Sequence, residues 1–414
     1  MKSIKSKLLL PFFLLLLSAS VVFFKFNLIP QSLTFDEVEF AKLALTLDGK
    51  PYIPYSEMAT GHSTLYFYSL LASFKIFGVN NFALRLPAAL FGVAGSLMFY
   101  LVVRKIFSKN YFLAFMLAVA FTASRWYFNF ARFSFEATFL LFLELASLYF
   151  FLRFIGNQSK DGGLHINLLM SGLFAGLAFN SYTPGRFFFA VPLFIIFIMF
   201  LKKRGQLIKY LLTFLIPFVI VIVPLTTYLL THQDNRVDKL FFWKNHEMTL
   251  GEKVAGTIKN VGTVSAMFVF KGDMSGKHNY PGKPALNPIM GLLFVSGVTV
   301  ALKNLKNNFN RIFISYLFIS LLPSLMIYPW ENPNMLRTFT AIPAVVYFSG
   351  LALNSAASRL KKPVFATALI ALLIIISSAY ELHTYFNYQS LVFPSAFETK
   401  PTLEEALKHV NFKY

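Results

Sequence analysis

The chain has 414 residues, 56% of them hydrophobic, 18% aromatic and only 14% charged, with 51 Phe. So much apolar surface excludes an ordinary water-soluble domain and predicts an all-α polytopic membrane protein. The net charge of +20 fits basic cytoplasmic loops and contact with anionic lipid rather than nucleic acid; the absence of cysteine excludes disulfides and thiolate metal sites.

The basic stretch Met1-Lys2-Ser3-Ile4-Lys5-Ser6-Lys7 precedes an apolar run from Leu8 to about Leu28. Ser18-Ala19-Ser20 would suit cleavage of a signal peptide, but the run is longer than an h-region and reads as a retained first span. The first outer loop follows, over 30–84. Thr34 and Glu37 form a capping-box pattern that starts a helix at Thr34. Phe40, Leu43, Ala44 and Leu47 share one face, and Asp48-Gly49-Lys50-Pro51 stops the helix. This predicts an amphipathic helix lying on the membrane. Ser63 to Phe77 is apolar but short for a span, hence interfacial or re-entrant.

Further spans are predicted near 85–103, 111–124, 133–152, 167–180, 186–201, 207–230, 286–302, 311–329, 337–353 and 363–380. With the first, they make about 11 transmembrane helices. Residues 1–380 then form one transmembrane module with a large, turn-rich outer loop at 231–285. Residues 381–414 form a short extracytoplasmic tail, in which Thr402-Leu403-Glu404-Glu405 repeats the capping pattern.

Charge sets the expected orientation. With the N-terminus inside, the inner connections carry Lys2, Lys5, Lys7, Arg104, Lys105, Lys109, Arg153, Lys160, Lys202, Lys203, Arg204, Lys209, Lys303, Lys306, Arg311, Arg359, Lys361 and Lys362. Of the 18 acidic residues only Asp161 falls inside; Glu136 and Glu144 fall in a span, and the other 15 lie outside. Asp36 and Glu37 are thus expected just above the outer face of a cell membrane.

Chemistry is expected there. On spacing alone, Asp36-Glu37 reads as a helix N-terminus, where acids complement the dipole. The rest of the chain adds to it. Glu136 lies at the outer end of a span, where an ionisable group is costly unless paired, and Arg132 four residues earlier is its expected partner. Glu144, two turns deeper, reads as a packing residue. Arg85, Arg186 and Arg337 open different spans at one level. Singly each reads as snorkelling; together they suit an anion pocket, because guanidinium forks match phosphate oxygens. His62 reads as a polar-loop residue or a phosphate ligand. A metal site with Glu57 lacks a closely spaced second His.

The acidic pair after the first span, followed by Phe77-Gly78-Val79-Asn80-Asn81-Phe82-Ala83-Leu84-Arg85-Leu86-Pro87, resembles the GT-C fold lipid-linked glycosyltransferases. The likeness is to the protein O-mannosyltransferase and aminoarabinose transferase group, glycosyltransferase family 39 in type. Phe130-Ala131-Arg132-Phe133-Ser134-Phe135-Glu136, Asn180-Ser181-Tyr182-Thr183-Pro184-Gly185-Arg186 and Asn332-Pro333-Asn334-Met335-Leu336-Arg337 extend the resemblance over about residues 1–355.

The resemblance implies a mannosyltransferase-like enzyme of the cell envelope. Its donor would be a polyprenyl-phosphate-linked sugar, its acceptor a lipid, glycan or protein on the outer side, and its transfer inverting. It implies Asp36 as general base, Glu37 as orienting the acceptor or sharing the proton relay, and Arg85 as a ligand of the lipid phosphate. Glu136, Arg132, Arg186, Arg337 and His62 would complete substrate and phosphate binding, with a divalent metal left open. The chain departs from the aminoarabinose branch at Gly61-His62-Ser63-Thr64, where that branch has a Lys-Pro-Pro type sequence. Acceptor recognition is expected on the 231–285 loop. The alternative is a transporter or flippase of a lipid-linked or anionic solute. That would place charge at the bilayer midplane rather than at its outer face.

Overall fold

A computed structural model describes residues 2–156, 165–232, 234–410 and 412. The Lys160 and Asp161 expectations lie outside these residues. The chain is a helical bundle: α1 (Lys2–Phe23), α2 (Phe35–Thr46), α3 (Leu65–Phe77), α4 (Asn81–Ile106), α5 (Tyr111–Ala123), α6 (Arg125–Phe128), α7 (Ala137–Gly156), α8 (Ile166–Phe179), α9 (Ala190–Phe200) and α10 (Arg204–Thr231). It continues through α11 (Asn235–Leu240), α12 (Leu250–Val269), α13 (Pro288–Lys303), α14 (Asn308–Leu325), α15 (Ile342–Ala357), α16 (Pro363–Thr384), α17 (Ser390–Ala396) and α18 (Leu403–His409). A small antiparallel ribbon, β1 (Tyr55–Ser56) with β2 (His62–Ser63), lies in the first loop and pairs Ser56 with His62.

Every expected span holds a helix, but the helices are unequal. Among the described residues six are long and apolar enough to cross a membrane, or seven if the pair Tyr111–Ala123 and Arg125–Ala131, bent by 53°, counts as one span. Leu9–Phe23, Leu65–Phe77, Ile166–Phe179 and Pro288–Lys303 are shorter apolar helices. With no hydrophobic drive between helices in lipid, close backbone approach holds the bundle together. A Cβ at Gly172 would collide with the Phe214 carbonyl oxygen, so α8 and α10 touch through bare backbone. Gly297 plays the same part between α13 and α15, where a Cβ would collide with the Phe348 carbonyl oxygen.

Two expected boundaries move. The span placed at 133–152 starts as α7 at Ala137, because residues 129–136 form an irregular hook that buries Arg132, Ser134 and Glu136. The boundary expected at 380 is bridged by helix: α16 runs on through a wider turn at 385–389 into α17. Burial of Tyr385 and Phe393 holds that continuation down, Tyr385 packing edge-on against Phe128 and Phe393. The tail then folds back. Leu33 and Thr399/Lys400 exchange backbone hydrogen bonds, Asn81 Nδ2 donates to the Pro401 carbonyl, and Leu403 N–H donates to Asn81 Oδ1. The residues just before α2 and those opening α4 are thereby tied together.

Candidate active site

α2 begins as its sequence predicts. Thr34 Oγ1 accepts from Glu37 N–H at 3.1 Å, and Glu37 Oε2 accepts from Thr34 N–H at 3.0 Å. Adjacent helical residues point about 100° apart, so the two carboxylates meet different surroundings. Glu37 is fully buried. Its Oε1 accepts from Arg85 Nε at 2.8 Å and from Ser134 N–H at 3.0 Å, and its Oε2 accepts from Arg85 Nη2 at 3.1 Å. Arg85 spends its remaining donors on the Pro30 and Ser32 carbonyls at 2.6 and 2.8 Å. This buried ion pair has good fork geometry and joins α2, α4 and the hook before α7.

Asp36 faces out. Its side chain is 59% exposed, and Lys277 Nζ from the large outer loop comes within 3.6 Å of it. Phe40, one turn along the same face, packs edge-on against His62, Phe67 and Phe135. The base of the site lies there. His62 Nδ1 is 2.5 Å from Glu136 Oε1, and Arg236 Nη1 is 2.7 Å from His62 Nε2. Nε2 meets two groups with opposite demands, the Arg236 guanidinium, which only donates, and the Ala59 carbonyl 2.9 Å away, which only accepts. Burial, the largest influence, pushes His62 below its usual value; Arg236 reinforces the shift and Glu136 opposes it. Arg236 also lies over the Tyr182 ring, 5.2 Å from its centroid. Asp36 is close enough to stabilise the Arg236 charge.

Further arginines border this group. Arg186 Nη1 donates to Asp234 Oδ2 at 2.5 Å, and Tyr55 donates to Asp234 Oδ1 at 3.0 Å. Burial pushes the Asp234 carboxyl up, but Arg186 outweighs it and holds the carboxyl below the usual range. Arg337 Nη2 donates to Glu331 at 2.9 Å. Tyr182, Thr183, Pro184, Arg236, Phe241 and Arg337 are among the residues lining a narrow cleft of about 30 Å³. Arg186 Nε, Arg337 Nη1 and Glu136 Oε2 are buried without a hydrogen-bond partner, and Arg337 lines the cleft together with Arg236. Such unsatisfied groups are expensive unless a ligand completes them. Among the described residues no three His, Asp or Glu side chains converge as a metal site.

A family model described as dolichyl-phosphate-mannose-protein mannosyltransferase matches residues 61–230. Solved structures of similar fold include ArnT from Cupriavidus metallidurans bound to undecaprenyl phosphate, at 13% identity and a TM-score of 0.53 over 95% of this chain and 76% of that one. In the apo state the same enzyme gives 14% and 0.55 over 96% and 77%. This chain has the GT-C fold. The Archaeoglobus fulgidus oligosaccharyltransferase in its apo form shares that fold at 14% identity and a TM-score of 0.59. That match covers 92% of this chain but only 56% of the oligosaccharyltransferase. No curated protein sequence matches.

On this GT-C scaffold the anticipated residues separate. Arg337 lines the cleft; His62 reaches it through Arg236, Glu136 through His62, Arg186 through Asp234 at the start of α11, and Asp36 through its charge on Arg236. Arg85 does not line it, because it is fully buried and its donors end on Glu37 and two carbonyls. Arg132 is not the partner of Glu136. It is fully buried, and its guanidinium caps the end of α1, donating to the carbonyls of Val21, Val22, Phe24, Lys25 and Ile29 and to the Tyr385 hydroxyl. Helix ends leave such carbonyls unpaired, and a buried guanidinium satisfies several at once. Sequence reasoning missed Arg236 and Lys277. Arg236 follows the Asp234 N-cap of α11, a signal available at the start of the large outer loop. Lys277 gave none, since only the fold of residues 272–283 brings it to Asp36.

Proposed function

We propose that this protein transfers a sugar from a polyprenyl-phosphate carrier to an acceptor hydroxyl at the outer face of a cell membrane, with inversion at the anomeric carbon. The observation that carries the reading is an exposed Asp36 whose charge acts on Arg236, at a cleft that Arg236 and Arg337 line and where Arg337 Nη1 is buried without a partner. ArnT, one of the similar folds, is described as bound to undecaprenyl phosphate.

The chemistry needs a base on one side of the anomeric carbon and cations on the other. Asp36 takes the acceptor hydroxyl proton as the new C–O bond forms. The bond from the anomeric carbon to the phosphate oxygen breaks with its electron pair, and the carrier leaves as polyprenyl phosphate. Arg236, Arg337 and Arg186 hold that phosphate. His62 and Glu136 fix Arg236, and the Glu37–Arg85 pair holds the turn that presents Asp36. Lys277, 3.6 Å away, holds the Asp36 carboxylate toward the acceptor. Phe241, Leu240 and Ile327, which also line the cleft, give the lipid chain an apolar start.

Arg236→Ala separates this reading from one in which the arginines only brace loops. Loss of one such charged hydrogen bond costs about 1.5–3 kcal/mol, or roughly 10- to 100-fold in donor KM. The assay offers a panel of polyprenyl-phosphate sugars to protein in nanodiscs. An unchanged donor KM in the variant would remove Arg236 from the phosphate site.

A further inference from the structure

A second groove lies away from the cleft and shares no lining residue with it. It is open to the surface, has room for about 480 Å³ and is bordered by Val269 at the end of α12, the Lys283–Asn287 segment, α13 and Tyr380 of α16. Its polar and apolar residues are layered. Lys283, Asn287 and Tyr380 gather at one end, while Gly291, Leu292 and Val295 continue along α13, reaching about 10 Å from its first turn to Val295 at 1.5 Å per residue. Leu292 and Val295 are 71% and 53% exposed on an apolar helix of the bundle. Nothing but lipid suits them there.

The polar end carries net positive charge. Lys283 Nζ lies 4.6 Å from the centroid of the Tyr380 ring, and among the described residues no carboxylate pairs with it. Its backbone is anchored, the N–H donating to the Tyr280 carbonyl and the carbonyl accepting from Asn279. Glu381, beside Tyr380, turns inward instead. Asn287 donates to it at 2.9 Å and Arg125 stands 3.4 Å away, so its charge is balanced behind the groove wall.

We propose that this groove seats an anionic phospholipid of the bilayer, its phosphate on Lys283 and one acyl chain along α13 past Leu292 and Val295. The site is independent of the transferase reading and distinct from the cleft at Arg236.

Native mass spectrometry of the full-length protein, titrated with dioleoylphosphatidylglycerol, dioleoylphosphatidylcholine or undecaprenyl phosphate, tests it. One lysine at a membrane surface contributes enough for about a fivefold preference. Phosphatidylglycerol is therefore expected to be retained about fivefold better than phosphatidylcholine, and Lys283→Ala is expected to abolish that difference. Val295→Trp, which fills the groove, should lower retention of both phospholipids. If that variant fails to fold, Lys283→Ala decides alone. Equal retention by the wild type, or a preference that survives Lys283→Ala, overturns the proposal. Lys283-dependent retention of undecaprenyl phosphate alone overturns the phospholipid assignment in favour of a polyprenyl one.

Discussion

Asp36 and Glu37 are adjacent, chemically alike and differently used. Glu37 is enclosed by Arg85, Ser134 and Thr34, whereas Asp36 meets solvent and Lys277. Removing one partner of a buried pair strands the other charge, at a cost of about 3–5 kcal/mol. Arg85→Ala is therefore expected to lower the melting temperature sharply and to loosen α2, which thermal unfolding in detergent would show. A normal melting temperature with weakened donor binding would restore Arg85 to the phosphate site. His62 gives a pH signature. Its native value is depressed from the usual 6.5, so below that pH the unfolded chain binds a proton that the native site resists. Stability from this group is complete above about pH 6.5 and is lost as pH falls. Protonation would also fix Nε2 as a donor toward the Ala59 carbonyl, 2.9 Å away, and set a positive imidazolium against Arg236. Melting curves at pH 5.5 and 7.5 should show the loss in the wild type and a smaller one in His62→Gln; equal losses would mean that His62 does not titrate there. The acidic pair was legible in sequence because a capping box is local. The separation of its two roles was not, because Arg85 and Ser134 come from distant elements.

At the scale of elements, legibility follows range. The start of α2 at Thr34 and of α18 at Thr402 was readable, since each N-cap side chain bonds its own first turn. The hook at 129–136 was not. Its sequence continues the apolar run of α7, and Arg132 reads as an i,i+4 partner of Glu136 until the carbonyls at the end of α1 are found to claim it. The anchoring of the C-terminal tail was not legible either: Leu403, Ala406 and Leu407 are buried, and the preceding Thr399–Lys400 exchanges backbone hydrogen bonds with Leu33. The start of α2 is thus clasped on two sides, by the Glu37–Arg85 pair inside and by the tail outside. Such a clasp fixes the turn that carries Asp36.

At the scale of the molecule, composition was enough to assign a multi-pass helical bundle. The number of crossings was not readable, because several apolar helices are too short to span unaided. Orientation rests on basic connections, and the absence of cysteine makes it directly testable. Lys244→Cys is expected to react with a membrane-impermeant maleimide on intact cells, and Lys361→Cys only after permeabilisation. The reverse pattern would turn the protein over and place Asp36 inside. The most direct test of the whole account compares wild type and Asp36→Asn in nanodiscs, measuring sugar transfer from a panel of polyprenyl-phosphate donors alongside melting temperature. Loss of a general base costs about 10²- to 10⁴-fold. Transfer from at least one donor, reduced by that factor in Asp36→Asn with the melting temperature unchanged, is the predicted result; wild-type turnover in the variant would contradict it.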